Sequence, residues 1–375
     1  MGWHSIIEPF QGALGAVVAI NSTHVAVAGG KNLGEGYGAF IINSATKTMT
    51  QVLKAPGATI MLALALSSNS DTMVAMGTAM LGQPVSYKSV DRGLTWSPSP
   101  EKAKGFSGAV AGHQAVSLSG DSFAYVAEYG SFENGTRCDH GEPQGDLRQC
   151  SGVLLTHDAG DHWTRVDWMG TDGRGIDAQM GAFPSEDVWY LVGGGGEDRT
   201  PPRLEALITK TVDGGKTFKT VFNVSAFQPH LGDGFGTMAD IDCADENTCY
   251  ATSFCDSPEC EVNKTTGYGA YVHKTADGGA SWQVVNFEYE KVYSEMHVLS
   301  GSHIVVGGGP TGALAIGESF SLHSTDAGAT WTKVPIAGRG TGMVMGMAMA
   351  KDGTSGFATT CSPASQKCNV FAYTP

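Results

Sequence analysis

The chain has 375 residues, 41% hydrophobic and 16% charged, a balance that excludes both a disordered polyelectrolyte and a charged coiled coil. Its 52 glycines are scattered rather than spaced in threes, which excludes collagen and leaves tight turns between short strands as their use. A net charge of -14 without any block of Lys and Arg argues against a nucleic-acid partner, and apolar runs such as 60–66 are too short to insert across a bilayer.

Met1-Gly2-Trp3-His4 lacks a basic and then apolar leader pattern, so the chain is expected to be a soluble, mature form. Trp3 to Phe10 reads as a strand without a local partner. Seven units follow, at 15–30, 59–77, 108–128, 175–193, 234–252, 292–307 and 343–360. Each is an alternating strand, a short turn and a second strand ending in small residues. A motif S/T-x-D-x-G-x-S/T-W closes five of them, starting at Ser89, Thr156, Thr211, Thr275 and Ser324, with His162 and Phe218 as its departures. Its aspartates lie 67, 55, 64 and 49 positions apart, near the roughly 40 to 50 residues of a four-stranded blade plus insertions. The Asp accepts backbone N–H bonds across a turn, the Gly takes a positive φ and the aromatic packs inward, so the motif is expected to be a structural clip.

The first unit has a degenerate hairpin over 43–50, and the last continues into a strand over 368–373. Joining that end to residues 3–10 completes a blade and removes the exposed sheet edges. The expected fold is therefore all-β, a single seven-bladed β-propeller closed by three C-terminal strands plus one N-terminal strand. It forms one domain, with blades near 11–55, 56–100, 105–168, 173–223, 233–287, 292–336 and 341–375 plus 3–10.

Eight cysteines form local couples. Cys249 and Cys255 flank one strand, roughly 20 Å apart at 3.3 Å per residue, so they cannot bond to each other. The favoured pairs are Cys243 with Cys249, Cys255 with Cys260, Cys138 with Cys150, and Cys361 with Cys368. None is CxxC, and zinc is not expected. Together with sequons at Asn21, Asn134, Asn223 and Asn263, this cysteine usage predicts a secretory or other extracytoplasmic compartment.

The repeated motif is the Asp box, and the chain resembles the Asp-box (BNR) propellers, which include sialidases, sortilin-type receptors, xyloglucan hydrolases and the photosystem II stability/assembly factor family. The segment Ile176-Asp177-Ala-Gln-Met-Gly-Ala-Phe183-Pro-Ser-Glu-Asp-Val-Trp189-Tyr-Leu-Val-Gly193, with Leu207-Ile-Thr-Lys-Thr211 and its Asp box, looks most like a blade of the last family. That resemblance implies the architecture and a chaperone-like scaffold acting during assembly; it does not imply the disulfides or sequons. A sialidase resemblance would imply an Arg-Ile-Pro-like motif near the start and a central arginine triad. The first arginine here is Arg92, and no such motif occurs.

In a propeller the strand 2–3 and strand 4–1 connections gather on one face. The long connections, 128–150, 193–206, 253–268 and 307–319, are expected 2–3 loops, so function is sought there. Arg137, Arg148, Arg174, Arg199, Arg203 and Arg339 fall in loops of this face, whereas Arg92 and Arg165 do not. Gathered guanidinium groups predict recognition of carboxylate, sulfate or phosphate, unless they pair with nearby Glu128, Glu133, Asp139, Glu142, Glu197 and Glu205. The expected function is a monomeric, cofactor-free binding module for an anionic glycan or a protein segment.

His113, Asp177, Gln179, Asp240, Asp242, Glu295 and His297 fall on innermost strands, where they either run acid–base chemistry or are simply hydrated. The alternative function is a secreted glycoside hydrolase or polysaccharide lyase at the channel mouth. Its catalytic candidates are Asp177, Glu295, His297, His113 and Tyr129, with Arg174 neutralising a uronate. Asp240, Asp242, Asp245 and Glu246 lack EF-hand spacing, so no metal is expected. Gly193 to Gly196 reads as a mobile loop, not a phosphate cradle. Binding is favoured over catalysis, because a fold does not by itself supply a reaction.

Overall fold

Four short segments of alternating hydropathy, joined by turn residues, fold each unit back on itself into one antiparallel sheet. The computed structural model describes residues 2–30, 37–55, 58–79, 84–99, 107–131, 150–168, 176–197, 203–223, 236–255, 269–310, 317–338, 341–362 and 365–375. For 58–62, 78–79, 84, 107–113, 127–131, 150–151, 167–168, 176–179, 194–197, 203–206, 236–237 and 255 only the backbone is described. Among the described residues there are strands and turns and no helix.

The chain opens with β1 (Gly2–Ser5) and β2 (Phe10–Gln11). Blade 1 is β3 (Ala13–Ala19), β4 (His24–Gly30), β5 (Gly38–Asn43) and β6 (Thr48–Lys54). Blade 2 is β7 (Ala58–Leu66), β8 (Met73–Ala79), β9 (Pro84–Ser89) and β10 (Ser97–Pro98). Blade 3 is β11 (Ser107–Ser117), β12 (Phe123–Ser131), β13 (Cys150–Thr156) and β14 (Thr164–Trp168). Blade 4 is β15 (Ile176–Ala182), β16 (Trp189–Glu197), β17 (Arg203–Thr211) and β18 (Lys219–Asn223). Blade 5 is β19 (Gly236–Cys243), β20 (Cys249–Cys255), β21 (Gly269–Thr275) and β22 (Gln283–Tyr289). Blade 6 is β23 (Lys291–Val298), β24 (Ile304–Pro310), β25 (Ser319–Ser324) and β26 (Thr332–Ala337). Blade 7 is β27 (Met343–Met349), β28 (Gly356–Ser362) and β29 (Lys367–Thr374), completed by β1 and β2.

The first strand of every blade packs against the first strand of the next, so the seven sheets close as a β-propeller around a channel. Second strands are buried on both faces, as Tyr190 with Leu191 and Val305 with Val306 show, because each lies between two neighbouring sheets. Every innermost strand also carries a β-bulge at the same level. The register breaks between Leu14 and Val17, Met61 and Ala63, Gly112 and Gln114, Ala178 and Met180, Met238 and Asp240, Tyr293 and Glu295, and Val344 and Gly346. A bulge inserts one residue and resets the in–out alternation, so an inward face counted straight through the strand is displaced beyond it.

The expected loop over 193–206 is mostly sheet. β16 and β17 stay paired from Gly193 opposite Leu207 out to Glu197 opposite Arg203. The glycine run lacks side chains but keeps its N–H and C=O groups, and these continue the ladder.

The five Asp boxes share one hydrogen-bond scheme. In the fifth blade Thr275 Oγ1 donates to Asp277 Oδ1 (2.8 Å) and accepts from Gly279 N (2.9 Å), while Asp277 accepts from Ser281 N (2.9 Å) and Ser281 Oγ (2.6 Å). Bonds from Thr217 and Ser281 hold the Asp213 and Asp277 carboxyls down at about 2. His162 preserves the scheme despite its departure from the motif, bonding to Asp158 through its backbone N (2.8 Å) and Nδ1 (2.6 Å). Two successive residues, not one, take positive φ, as at Arg92 (57°) and Gly93 (84°).

The boxes also join blades. Lys88 reaches Asp161 (2.8 Å), Lys210 reaches Gly278 O (2.9 Å) and Lys274 reaches Ala327 O (3.2 Å), each from the strand before one box into the box of the following blade. Tyr190 Oη and Tyr250 Oη donate in the same sense to Glu246 O (2.8 Å) and Gly301 O (2.9 Å).

Closure follows the expected three-plus-one pattern, except that the N-terminal segment is interrupted. β1 and β2 both pair with β29. Between them Ile6 turns into the core and donates its N–H to Val370 O (3.0 Å), and Pro9 has no N–H to give the ladder. Trp3 Nε1 donates to Ser321 Oγ of blade 6 (2.8 Å), whereas Phe10 packs edge-on against Phe40 of blade 1 (5.5 Å). One short segment thus grips both neighbours of the blade it completes.

Two of the four expected disulfides lie among the described residues, Cys243–Cys249 and Cys361–Cys368, each linking directly opposed residues of an antiparallel pair. Cys138 and Cys260 lie outside the described residues, and with them the pairings of Cys150 and Cys255.

Replacing Thr275 by Val keeps the shape but strands the Gly279 N–H in the turn, and should lower unfolding free energy in urea by about 1–3 kcal/mol. An unchanged midpoint would contradict the clip. A chain lacking residues 2–11 should melt at a lower temperature and over a wider range than the full chain, as followed by near-ultraviolet circular dichroism. Coincident melts would contradict the closure.

Candidate functional site: the central channel

The seven innermost strands enclose a cavity of about 430 Å³, walled by residues such as Gln114, Met180, Asp240, Glu295, His297 and Met345. Its wall is mainly small apolar groups and methionines, interrupted by a few polar side chains. The bulges decide which ones. Gln114, Asp240 and Glu295 each follow the bulge of their own strand, and so occupy one equivalent position in blades 3, 5 and 6.

All three do the same thing. Gln114 Oε1 accepts the N–H of Gly181 (2.7 Å), Asp240 Oδ2 accepts that of Met296 (2.7 Å), and the Glu295 carboxyl accepts that of Met347. The donor is each time the second residue after the bulge of the next blade. Asp242 Oδ2 repeats the contact one step along, at Val298 N (2.7 Å). From the same strand as Glu295, His297 Nε2 donates to Met347 O (2.7 Å) and Ser294 Oγ donates to Val344 O (2.7 Å). Blade 6 therefore holds both the N–H and the C=O of Met347.

Burial dominates the electrostatics. Asp240 is 4% exposed, and desolvation pushes its carboxyl well above the usual range, with the neighbouring Glu295 and Asp242 charges adding to it. Desolvation lifts Glu295 to about 8, opposed by the Met347 N–H. Asp242 is raised for the same reason, with the Val298 N–H and the His297 and Lys351 charges opposing. Burial thus raises both carboxyls, and the Glu295 charge raises Asp240 further.

Asp240, Glu295 and His297 all lie on the channel wall. Asp177 lies on β15 and His113 within the bulge of β11; their side chains are outside the described residues. Tyr129 stands near the end of β12 opposite Cys150, and Arg203 opens β17 opposite Glu197. Arg137, Arg148, Arg174, Arg199 and Arg339 lie outside the described residues. Counting alternation picks His113 and misses Gln114 beside it, because nothing in the sequence marks the bulge. Among the described residues no three His, Cys, Asp or Glu side chains converge as metal ligands, and Asp245 serves its own turn through Asn247 N and Thr248 N (both 2.8 Å).

No protein-family model matches the chain, and no curated protein sequence matches it. Similar solved structures include the GH74 enzyme of Niastella koreensis, 17% identical with a TM-score of 0.62, over 99% of this chain and 53% of that one. A puromycin hydrolase mutant complexed with PGG is 12% identical with a TM-score of 0.59, over 94% of this chain and 50% of that one. A PL25 ulvan lyase bound to -[GlcA(1-4)Rha3S]- is 9% identical with a TM-score of 0.58, over 98% of this chain and 94% of that one. The chain spans about half the length of the first two. At these identities the likeness shows the fold alone.

The Glu295 carboxyl titrates near 4.5 when unfolded and near 8 when folded, so folding takes up a proton between those values. The stability it contributes is complete below the unfolded value, falls across the window and is lost above the folded one, with a slope of at most about 1.4 kcal/mol per pH unit. Glu295→Gln keeps an oxygen for Met347 and removes the titration. Thermal melts should show the wild type losing stability relative to this variant from about pH 5 to about pH 8. A constant difference would place the Glu295 pKa at its ordinary value.

Proposed function

We propose that this chain is an extracytoplasmic binding module that takes an anionic saccharide on the propeller face opposite its Asp boxes. The observation that supports binding over catalysis is the commitment of the channel groups. Gln114, Asp240, Asp242, Glu295 and His297 each hold the backbone of the following blade, and a side chain so engaged cannot move to a substrate without loosening the ring. The ligand must then be recognised by the connections at the open end. By sequence, those connections carry Arg137, Arg148, Arg174, Arg199 and Arg339, with Arg203 beside them at the start of β17, and their planar guanidinium groups suit carboxylate and sulfate.

The neighbouring ulvan lyase fold, bound to a saccharide of uronate and sulfated rhamnose, supports the ligand class by analogy. Two disulfides support the compartment. An acidic protein segment offers the same charges and is the competing ligand.

A hydrolase or lyase is the second reading, favoured by the channel-wall Glu295 carboxyl, which burial raises to about 8, since a carboxyl that keeps its proton at neutral pH is what a general acid needs.

One panel separates these readings: uronate-rich, sulfated and sialylated glycans and acidic peptides, assayed by calorimetry and for cleavage. An anionic glycan should bind and weaken with added salt. Arg174→Glu or Arg203→Glu should weaken binding at least about tenfold, about 1.4 kcal/mol. Arg92→Glu should not, because Arg92 lies in an Asp-box turn against Asp71. No binding across the panel would overturn the proposal, and cleavage lost in Glu295→Gln would favour the enzyme.

A further inference from the structure

The sequon Asn21-Ser22-Thr23 forms the turn between β3 and β4, and its side chains are arranged around one atom. Asn21 Oδ1 accepts from Thr23 N (2.9 Å), Thr23 Oγ1 (3.0 Å) and His24 N (2.8 Å), and lies 3.2 Å from His24 Nδ1. All four contacts fall on the amide oxygen. The turn is braced from its neighbour, since Ser44 N donates to Thr23 O (2.8 Å), and Asn21 and Ser22 are exposed. The amide nitrogen is therefore not needed to shape the turn.

We propose that Asn21 is an N-glycosylation site, with a lipid-diphosphate-linked oligosaccharide as the sugar donor. In that transfer the Asn21 Nδ2 forms a bond to the anomeric carbon of the first sugar and the anomeric C–O bond to the diphosphate breaks. The electron pair leaves with the lipid diphosphate, and one amide proton passes to the transferase. The product keeps the amide oxygen and one N–H, so every bond that shapes the turn survives modification. The sugar replaces a hydrogen on an exposed side chain, which costs no burial.

Topology fixes where the glycan stands. The β3–β4 turn lies beside the β5–β6 turn, which occupies in blade 1 the place that the Asp box occupies in blades 2 to 6. The starts of β3 and β5 and the ends of β4 and β6 lie at the other end of blade 1. A glycan on Asn21 thus projects from the Asp-box end and leaves the other end open. Of the remaining sequons, Asn223 ends β18 with its next two residues outside the described residues, and Asn134 and Asn263 lie outside them altogether. The inference concerns Asn21 alone and does not depend on which ligand the protein binds.

The test is translation of the full chain behind a cleavable leader in the presence of microsomes, followed by secretion from a eukaryotic cell line and glycopeptide mass spectrometry. The wild type and Thr23→Ser should carry glycan at Asn21, removable by an N-glycanase. Asn21→Asp and Thr23→Ala should carry none there. Asn21→Asp retains an oxygen acceptor for Thr23 and His24, so it should melt within a few degrees of the unglycosylated wild type and separates loss of the site from loss of the turn. An Asn21 left unmodified in wild-type chain processed by the microsomes overturns the proposal, as does modification that persists in Thr23→Ala.

Discussion

The polar side chain that reaches from one blade to the backbone of the next is the contact on which this propeller depends. Apolar surfaces between sheets supply most of the adhesion, but burial is non-directional and leaves two sheets free to slide. A hydrogen bond from Met296 N to Asp240 Oδ2, or from Tyr250 Oη to Gly301 O, fixes the stagger, because only one offset satisfies it. The same sense of reach, from a blade to its successor, recurs at the channel from blades 3, 5 and 6 and at the Asp-box rim from blades 2, 4 and 5. Between blades 5 and 6 both rows are present, and bonds at opposite radii hold the two sheets against rotation about either.

That arrangement has a functional consequence. Carboxyl and imidazole groups around a central cavity resemble a catalytic set, yet here each is spent on a backbone partner. The raised ionisation of the Asp240 and Glu295 carboxyls arises from burial at a blade junction and is no sign of reactivity by itself. A ring stiffened in this way makes a rigid platform.

The closing blade obeys the same rule with a different device. Blade 7 lacks an outer strand of its own, and the N-terminal segment supplies it while reaching sideways through Trp3 to blade 6 and Phe10 to blade 1. Between blades 7 and 1 the inner strands meet without long polar side chains, because a Cβ on Gly346 would lie 2.3 Å from Gly15 O. Close backbone approach there takes the place of a side-chain hook.

The repeat, the blade count, the closure and the pairing of Cys243 with Cys249 and of Cys361 with Cys368 were legible in the linear chain, because each depends on local periodicity or short spacing. The box chemistry was legible for the same reason: Thr275, Asp277 and Ser281 act on one another within a single turn. The bulges were not, since a bulge is chosen by the partner strand and leaves no mark on the bulged one, and so Gln114 was passed over for His113. The extension of β16 through its glycines was likewise decided by β17, which offers a partner to every backbone group. Only the tertiary structure assigned Asp240, Glu295 and His297 their partners, because those partners are backbone atoms about 50 residues away or more whose positions no side-chain pattern encodes.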